Sequence, residues 1–409
     1  MKPLHLSGYG VKIKVKNMRS RSDLDITDGR DSFGKEPESY SFRPRRIPYD
    51  SIIIDGHSGY ISLQAFHWLS RNKIPIFILN FDGSLISSIL APMPVKADLR
   101  AAQFEACKDP AKKFKIAYEI VKAKIQRNRD VLKWLGERYD VAKYVRQVDK
   151  EALALSKART VNDARIVEGR VAQYYWLAIQ SIVPETFCFQ SRMVKSHQYN
   201  ASDPFNLCLN YAYGVTEGYV RRAVNIVGLE PSFGFLHEFS GSQTKESLVY
   251  DLQEPFRWLG DVTTIEAFES GTLDMKDFYF TGDDYSYKIE VNARKRFLEM
   301  LKTKFNTGAQ YNGKTCKWDT VIFEKTKELR RFLVRSRDVD FVEPAPVLLR
   351  TDARELRGRI LALSISDARR LGINKSTLHY LRKRARSSGR LRVYANVQDR
   401  LFTSSILHN

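Results

Sequence analysis

The chain has 409 residues, 67 of them Lys or Arg against 47 Asp or Glu, for a net charge of +20 and a pI near 9.7. A 43% hydrophobic share over this length allows two or three domains with their own cores and excludes a disordered polymer, while the basic balance points to a polyanionic partner such as nucleic acid. Cys107, Cys188, Cys208 and Cys316 have no CxxC or other zinc spacing, no apolar run is long enough to cross a bilayer, and Met1-Lys2-Pro3-Leu4-His5 lacks a signal-peptide core, so the reading is reduced thiols, no zinc site and a cytoplasmic protein.

The first 92 residues read as a β-rich domain. Val11, Ile13 and Val15 alternate with Lys12, Lys14 and Lys16, which predicts a strand with one buried and one cationic face. The stretch from Arg19 to Pro44, rich in Ser, Asp and Gly, reads as a long hairpin connection or insertion. Ile52 to Ile54 predicts a strand, Ile61 to Arg71 a short amphipathic helix, and Ile76 to Asn80 a strand that turns through Asp82-Gly83 into Leu85 to Leu90. Sheet edges in such a domain need cover, and a second subunit supplies it, so 1–92 is expected to dimerise.

After the Pro92-Met93-Pro94 break the apolar period becomes 3.6, so 97–340 is expected to be mainly α-helical and catalytic. Glu168, in Glu168-Gly169-Arg170, falls on a helical run from Asn162 to about Ile182 beside Ala164, Val171, Ala172 and Tyr175. A carboxylate on that apolar border needs a compensating cation: a metal ion, or an arginine such as Arg165 or Arg170. Gly228-Leu229-Glu230-Pro231-Ser232-Phe233-Gly234-Phe235-Leu236-His237 ends an apolar helix and delivers His237 on a loop. Asp251 and Glu254 are three apart and point the same way if helical, with Pro255 placing them at a helix start. Three carboxylates and one imidazole suit Mg²⁺ or Mn²⁺ beside a phosphodiester, and Arg257 and Lys245 are candidate phosphate contacts.

Beyond Pro344-Ala345-Pro346, residues 345–409 carry fourteen Lys or Arg and four Asp or Glu, half of the net charge. Ser366 to Arg384 reads as a helix-turn-helix: Ser366 caps the first helix, Gly372 makes the turn, Asn374 caps the second, and Leu378 and Leu381 face inward. Lys375, Ser376, Thr377, His379, Tyr380, Arg382 and Lys383 then face outward, as residues that read a groove or hold phosphate do. Leu391 to Val397 is a candidate β-wing. The fold class is therefore α+β and multidomain, ending in a helix-turn-helix domain over 345–409.

Several motifs carry a resemblance. Leu6-Ser7-Gly8-Tyr9-Gly10-Val11, Ile52-Ile53-Ile54-Asp55-Gly56-His57, Ile74-Pro75-Ile76-Phe77-Ile78-Leu79, Asp203-Pro204-Phe205-Asn206-Leu207, the Gly-Phe-Leu-His turn and Asp251-Leu252-Gln253-Glu254-Pro255-Phe256-Arg257 together resemble the CRISPR-associated spacer integrase family over roughly residues 3 to 300. The resemblance implies that Glu168, His237 and Glu254 are metal ligands and Asp251 the nearby acid; family members commonly carry Asp where Glu254 stands. With its basic C-terminal module the chain resembles the casposase branch, which joins 3′-hydroxyl ends of transposon terminal inverted repeats to target DNA. That implies double-stranded DNA as partner and a homodimer or tetramer on it, since two ends need two sites. The alternatives are a CRISPR adaptation integrase that needs a small partner subunit, and a non-catalytic DNA-binding regulator on the same scaffold.

Overall fold

A computed structural model describes residues 3–18, 21–30, 37–56, 58–80, 82–90, 96–192, 202–237, 246–282, 286–312, 314–335, 338–341 and 360–386. The chain forms two compact units, Met1–Asn306 with Lys317–Pro344, and Thr307–Cys316 with Ala345–Asn409. It is a mixed α+β protein.

In the first unit, β1 (Pro3–Gly8), β5 (Ser51–Gly56), β7 (Ile76–Leu79) and β8 (Leu85–Ile89) form one sheet in the order β1-β5-β7-β8, with β8 antiparallel to β7 and the other pairs parallel. Strand β5 is an unbroken run of Ile52, Ile53 and Ile54, all buried, as a central parallel strand requires. A second sheet runs β4 (Ser39–Phe42), β3 (Arg21–Thr27), β2 (Val11–Met18), β6 (Gly59–Ile61). Along β2, Val11 and Ile13 are buried while Lys12, Lys14 and Lys16 are exposed, as the alternation predicts.

The long connection expected from Arg19 to Pro44 is corrected: it contains β3 and β4. Leu24 and Ile26 pair with Val15 and Ile13 and are fully buried, whereas Asp25 between them lies on the opposite, less buried face, and the polar residues around this pair make the segment read as loop. Helix α1 (Leu63–Arg71) starts two residues later than predicted, because Ile61 belongs to β6 and Ser62 caps the helix. These elements share one core with Leu4, Leu6, Trp68 and Leu69.

The rest of this unit is mostly helical: α2 (Ala97–Lys108), α3 (Pro110–Gly136), α4 (Ala142–Ala154), α5 (Val161–Gln180), α6 (Pro204–Val227), α7 (Ser247–Gln253), α8 (Trp258–Glu269), α9 (Val291–Phe305) and α10 (Trp318–Arg335). Helix α6 is the central one. Asp203 caps it by accepting from the Asn206 N–H, Pro204 occupies its first turn, and Gly228 at φ 87° ends it. It is buried on nearly every side, so its polar Thr216 and Glu217 are buried too. This unit also holds a short hairpin, β9 (Phe278–Thr281) with β10 (Ser286–Ile289), and a second one, β11 (Gly308–Tyr311) with β12 (Lys314–Lys317), falls in the second unit up to Cys316; the helical period foretells neither. Arg294 on α9 pairs with buried Asp55 of β5 at 2.6 Å, and Lys295 with Asp28 at 2.5 Å, fixing the sheet against the helices.

In the second unit, α11 (Ile365–Arg370) and α12 (Lys375–Arg386) are joined by a turn with Gly372 at φ 68°. They bury Ile360, Leu363, Ala368, Ile373, Leu378, Leu381 and Ala385 in one small core. The first cap is Ser364 rather than Ser366, since it is Ser364 Oγ that accepts from the Asp367 N–H. Asn374 caps α12 through the Thr377 N–H, as predicted. The candidate wing at 391–397 and the proline linkers at 92–94 and 344–346 lie wholly or mainly outside the described residues. No described helix is long and apolar enough to cross a membrane.

Candidate active site

Glu168 is presented by α5. Thr160 and Asp163 form a capping box that fixes where this helix starts, and Ala164, Val167, Val171 and Tyr175 form its buried face. Glu168 stands at the edge of that face with its side chain 23% exposed.

His237 arrives on the loop after α6. Buried Gln103 of α2 clasps that loop: its amide donates to the Glu230 and Phe233 carbonyls at 2.9 and 2.8 Å and accepts from the Glu230 N–H at 2.8 Å. Gly234 is needed where it stands, because a Cβ there would lie 2.6 Å from the Ser247 Cβ and 3.0 Å from Asp251 Oδ2. Asp251 is fully buried and gathers the end of the loop. Its carboxylate accepts from the backbone N–H groups of Phe235, Leu236 and His237 at 2.5, 2.9 and 2.9 Å, and its Oδ1 lies 2.7 Å from His237 Nδ1. With Nδ1–H donating to Asp251, the lone pair of the neutral ring is on Nε2, the arrangement of a metal-ligating histidine with its orienting carboxylate.

Asp251 and Glu254 therefore part company. Asp251 closes α7 onto the His237 loop, while Glu254 opens the 3₁₀ turn Glu254–Phe256 and turns to α3. Pro255 sits in the first positions of that turn, where its missing N–H costs nothing. Glu254 is 3% exposed; its Oε2 is 2.7 Å from Lys124 Nζ and its Oε1 is 3.3 Å from Arg257 Nη1. The same Lys124 ammonium contacts Glu168 Oε1. The cation compensating Glu168 is thus Lys124, neither Arg165 nor Arg170; Arg170 instead faces Glu151 at 3.6 Å.

The charges in this cluster stabilise one another. Burial pushes the Glu254 carboxyl up, but the Arg257 and Lys124 charges outweigh it and hold it at about 2. Burial pulls the Lys124 ammonium down, and Glu254 and Glu168 overcome that, so it is raised. Among the described residues no three His, Cys, Asp or Glu side chains stand close enough together to form a metal cluster. Two carboxylates share one cation position, and a lysine fills it.

Behind Glu254 lies a cavity of about 40 Å³ lined by Lys124, Arg127, Arg192, Arg257, Trp258 and Asp261, among others. Asp261 accepts from the Tyr175 and Tyr213 hydroxyls at 2.7 and 2.5 Å, and burial raises it to about 6 against those bonds. The Arg257 and Arg192 guanidiniums lie 4.8 and 5.1 Å from the Tyr213 ring centre.

The stretch 21–303, which contains Glu168, His237, Asp251 and Glu254, matches the family model for CRISPR associated protein Cas1. The chain belongs to the Cas1 family. Members similar to it include CRISPR-associated endonuclease Cas1 1 of Archaeoglobus fulgidus, 27% identical over 302 residues that cover 69% of this chain and 85% of that protein. A second, from Methanospirillum hungatei JF-1, is 27% identical over 322 residues covering 77% and 91%. Among solved structures, a casposase bound to integration product superposes with TM-score 0.80 at 32% identity, covering 88% of this chain and 99% of that one. A Cas1 protein from Thermotoga maritima, TM-score 0.63 at 16% identity over 85% of this chain and 100% of that one, shows the shared fold alone. This chain is accordingly an enzyme of the Cas1 nuclease and integrase class, and the casposase likeness extends over most of its length.

Of the other candidates, Lys245 lies outside the described residues, and Arg257 is engaged by Glu254. On α12, Lys375, Ser376, His379, Tyr380 and Lys383 are exposed, whereas Thr377 and Arg382 are half-buried. Arg382 Nη2 donates to the Leu363 carbonyl at 2.6 Å, so it braces the small core. Lys124, Gln103 and Asp261 escape a motif-based reading. A signal for Lys124 is nonetheless present: it is three and four residues beyond the buried Val121 and Ile120, a lysine inside an apolar stripe.

Proposed function

We propose that this protein joins DNA ends as a casposase does, using Glu168, His237 and Glu254 to hold a Mg²⁺ or Mn²⁺ ion. One observation carries the reading: carboxylates from two separate elements converge on a single cation position beside a loop whose histidine is oriented by a buried aspartate. The donor chemistry fits such an ion, although among the described residues the three side chains do not stand together as a ready-made cluster. Oxygen donors with one imidazole nitrogen suit Mg²⁺ or Mn²⁺, the two carboxylates already point at one shared charge, and Nε2 of His237 carries the lone pair a metal takes. An ion bound there supplies Lewis-acid stabilisation of charge growing on the phosphoryl oxygens.

The chain's own residues do the rest. Asp251 holds the His237 ring through Nδ1 and fixes the loop by three backbone bonds; it positions, and being fully buried it does not meet substrate. Arg257, held between Glu254 and the Tyr213 ring, keeps Glu254 ionised. The joining step forms a bond from the 3′-hydroxyl oxygen of the incoming end to phosphorus of the target. It breaks that phosphorus–O3′ bond in the target strand, and the proton lost by the attacker is matched by one the leaving oxygen takes from solvent, which leaves a new 3′-hydroxyl. Water as attacker gives a nick. Lys375, His379, Tyr380 and Lys383 on α12 supply affinity for duplex DNA. Joining two ends needs two copies of the site, so a homodimer or a tetramer assembles on DNA, with 1–92 as the dimerising part.

The test mixes the purified chain, Mn²⁺ or Mg²⁺, a supercoiled plasmid and a short duplex ending in a 3′-hydroxyl or a dideoxy 3′ end. Joined product from the first duplex alone is expected; equal product from the dideoxy duplex contradicts transesterification by the 3′-hydroxyl. If joining requires an added small subunit, the CRISPR adaptation reading replaces this one. Joining that survives loss of Glu168, His237, Asp251 and Glu254 together would remove the assigned site, and duplex binding by the wild type with no joined product, with or without an added subunit, would leave the chain a DNA-binding protein without chemistry of its own.

A further inference from the structure

Lys124 is not a bystander to the carboxylates. Its ammonium lies 2.7 Å from Glu254 Oε2 and contacts Glu168 Oε1, at the point where the two acids converge. The side chain is 17% exposed, on a helix face between Ile120, Val121 and Asn128, all buried. An aliphatic stem in that stripe holds the charge in place without a neighbouring acid on α3 itself.

A site built this way is satisfied with no divalent ion in it. Two acids in a desolvated setting would repel each other, and the lysine removes that repulsion. The same arrangement opposes metal, because an ammonium and a divalent cation cannot share the point where the two carboxylates meet. The released ammonium has two ways to turn. Inward lies the cavity lined by Arg127, Arg192 and Arg257, three guanidiniums that repel it and outnumber Asp261, whose carboxylate the Tyr175 and Tyr213 hydroxyls already engage. Outward lies the side where Glu168 and His237 are 23% and 43% exposed and where a backbone phosphate would arrive.

We propose that Lys124 is the resident cation of the metal-free site and a phosphate ligand of the working one: it neutralises Glu168 and Glu254 until a DNA phosphate draws its ammonium off them. The proposal rests on the metal-site reading above and adds a consequence to it. Divalent-ion binding and DNA binding are coupled through one side chain, each strengthening the other by the same factor. Metal is held weakly by the free protein and tightly by the protein on DNA.

Electron paramagnetic resonance of free Mn²⁺ measures this without turnover, using the full chain with and without a duplex whose 3′ ends are dideoxy. The wild-type protein is expected to bind Mn²⁺ at least ~10-fold more tightly with the duplex present. Lys124→Met is expected to bind Mn²⁺ without DNA about as tightly as the wild type does with it, and to gain little when duplex is added. In thermal melts Lys124→Met should be weakened by EDTA and restored by Mn²⁺, while the free wild type is indifferent to both. Equal Mn²⁺ affinity of the wild type with and without duplex overturns the proposal whether or not the variant folds, as does unchanged or weaker binding by a folded Lys124→Met. No Mn²⁺ binding by the wild type even on DNA is a different result: it removes the metal site itself.

Discussion

The cluster around Glu254 and the exposed face of α12 are both rich in charge, yet they spend it in opposite ways. Around Glu254 every charge is committed: Lys124 to two carboxylates, Arg257 to Glu254 and the Tyr213 ring, Asp251 to three backbone N–H groups and an imidazole. On α12, Lys375 and Lys383 stand exposed, and only Arg382 is tied into the core beneath. Buried charge fixes geometry and tolerates little change. Exposed charge attracts a polyanion and can be traded away at modest cost.

Substitutions should expose that contrast. Among residues that support the site without being held to bind metal, Asp251→Asn should have the largest effect. An amide cannot accept from three backbone N–H groups and the imidazole as a carboxylate does, so joining should fall about 10–100-fold, as for loss of an orienting partner of a metal-site histidine. Stability should fall by about 2–4 kcal/mol, read by urea unfolding. Unchanged joining would show that the His237 loop holds itself.

Asp261 gives a pH signature. Its carboxyl is raised from 3.8 to about 6, so between those values the folded state binds more protons than the unfolded state and stability falls as pH rises. The group is unfavourable by about 3 kcal/mol above pH 6, and the penalty vanishes below pH 4. Asp261→Asn should flatten the stability profile between pH 4 and 7, and an unaltered slope would mean that the carboxyl titrates normally.

Lys375→Ala with Lys383→Ala should act more gently. Affinity for duplex DNA should fall and the slope of log affinity against log salt should drop by about 1 to 2, while joining at saturating DNA persists. Identical affinity and slope would free α12 of a DNA role. Arg382→Ala should be smaller still in binding and should instead loosen the second unit by about 1–2 kcal/mol, seen as faster amide exchange over 360–386.

The sequence reading succeeds where one element dictates an outcome. Period-two alternation places β2, the turn that begins at Gly228 ends α6, and Asn374 caps α12. It misses β3 because Leu24 and Ile26 are the only apolar residues in a polar strand, and their meaning depends on β2 lying beside them. The site follows the same rule. Glu168, His237 and Glu254 could be named from local context and family motifs. The split between Asp251 and Glu254 depends on a loop folding back over α7, and Lys124 joins the site only because α3 packs against α5 and the 3₁₀ turn. Pairings across 44 and 130 residues, Lys124 with Glu168 and Lys124 with Glu254, leave no trace in local spacing.

The most direct test of the central claim is single-turnover joining by Glu168→Gln and Glu254→Gln at saturating DNA and Mn²⁺, with duplex affinity measured on the same preparations. The account predicts that joining falls by about 10³-fold or more in both, since each is held to be a metal ligand, while duplex affinity in EDTA stays at the wild-type value. Wild-type joining by either variant would contradict it.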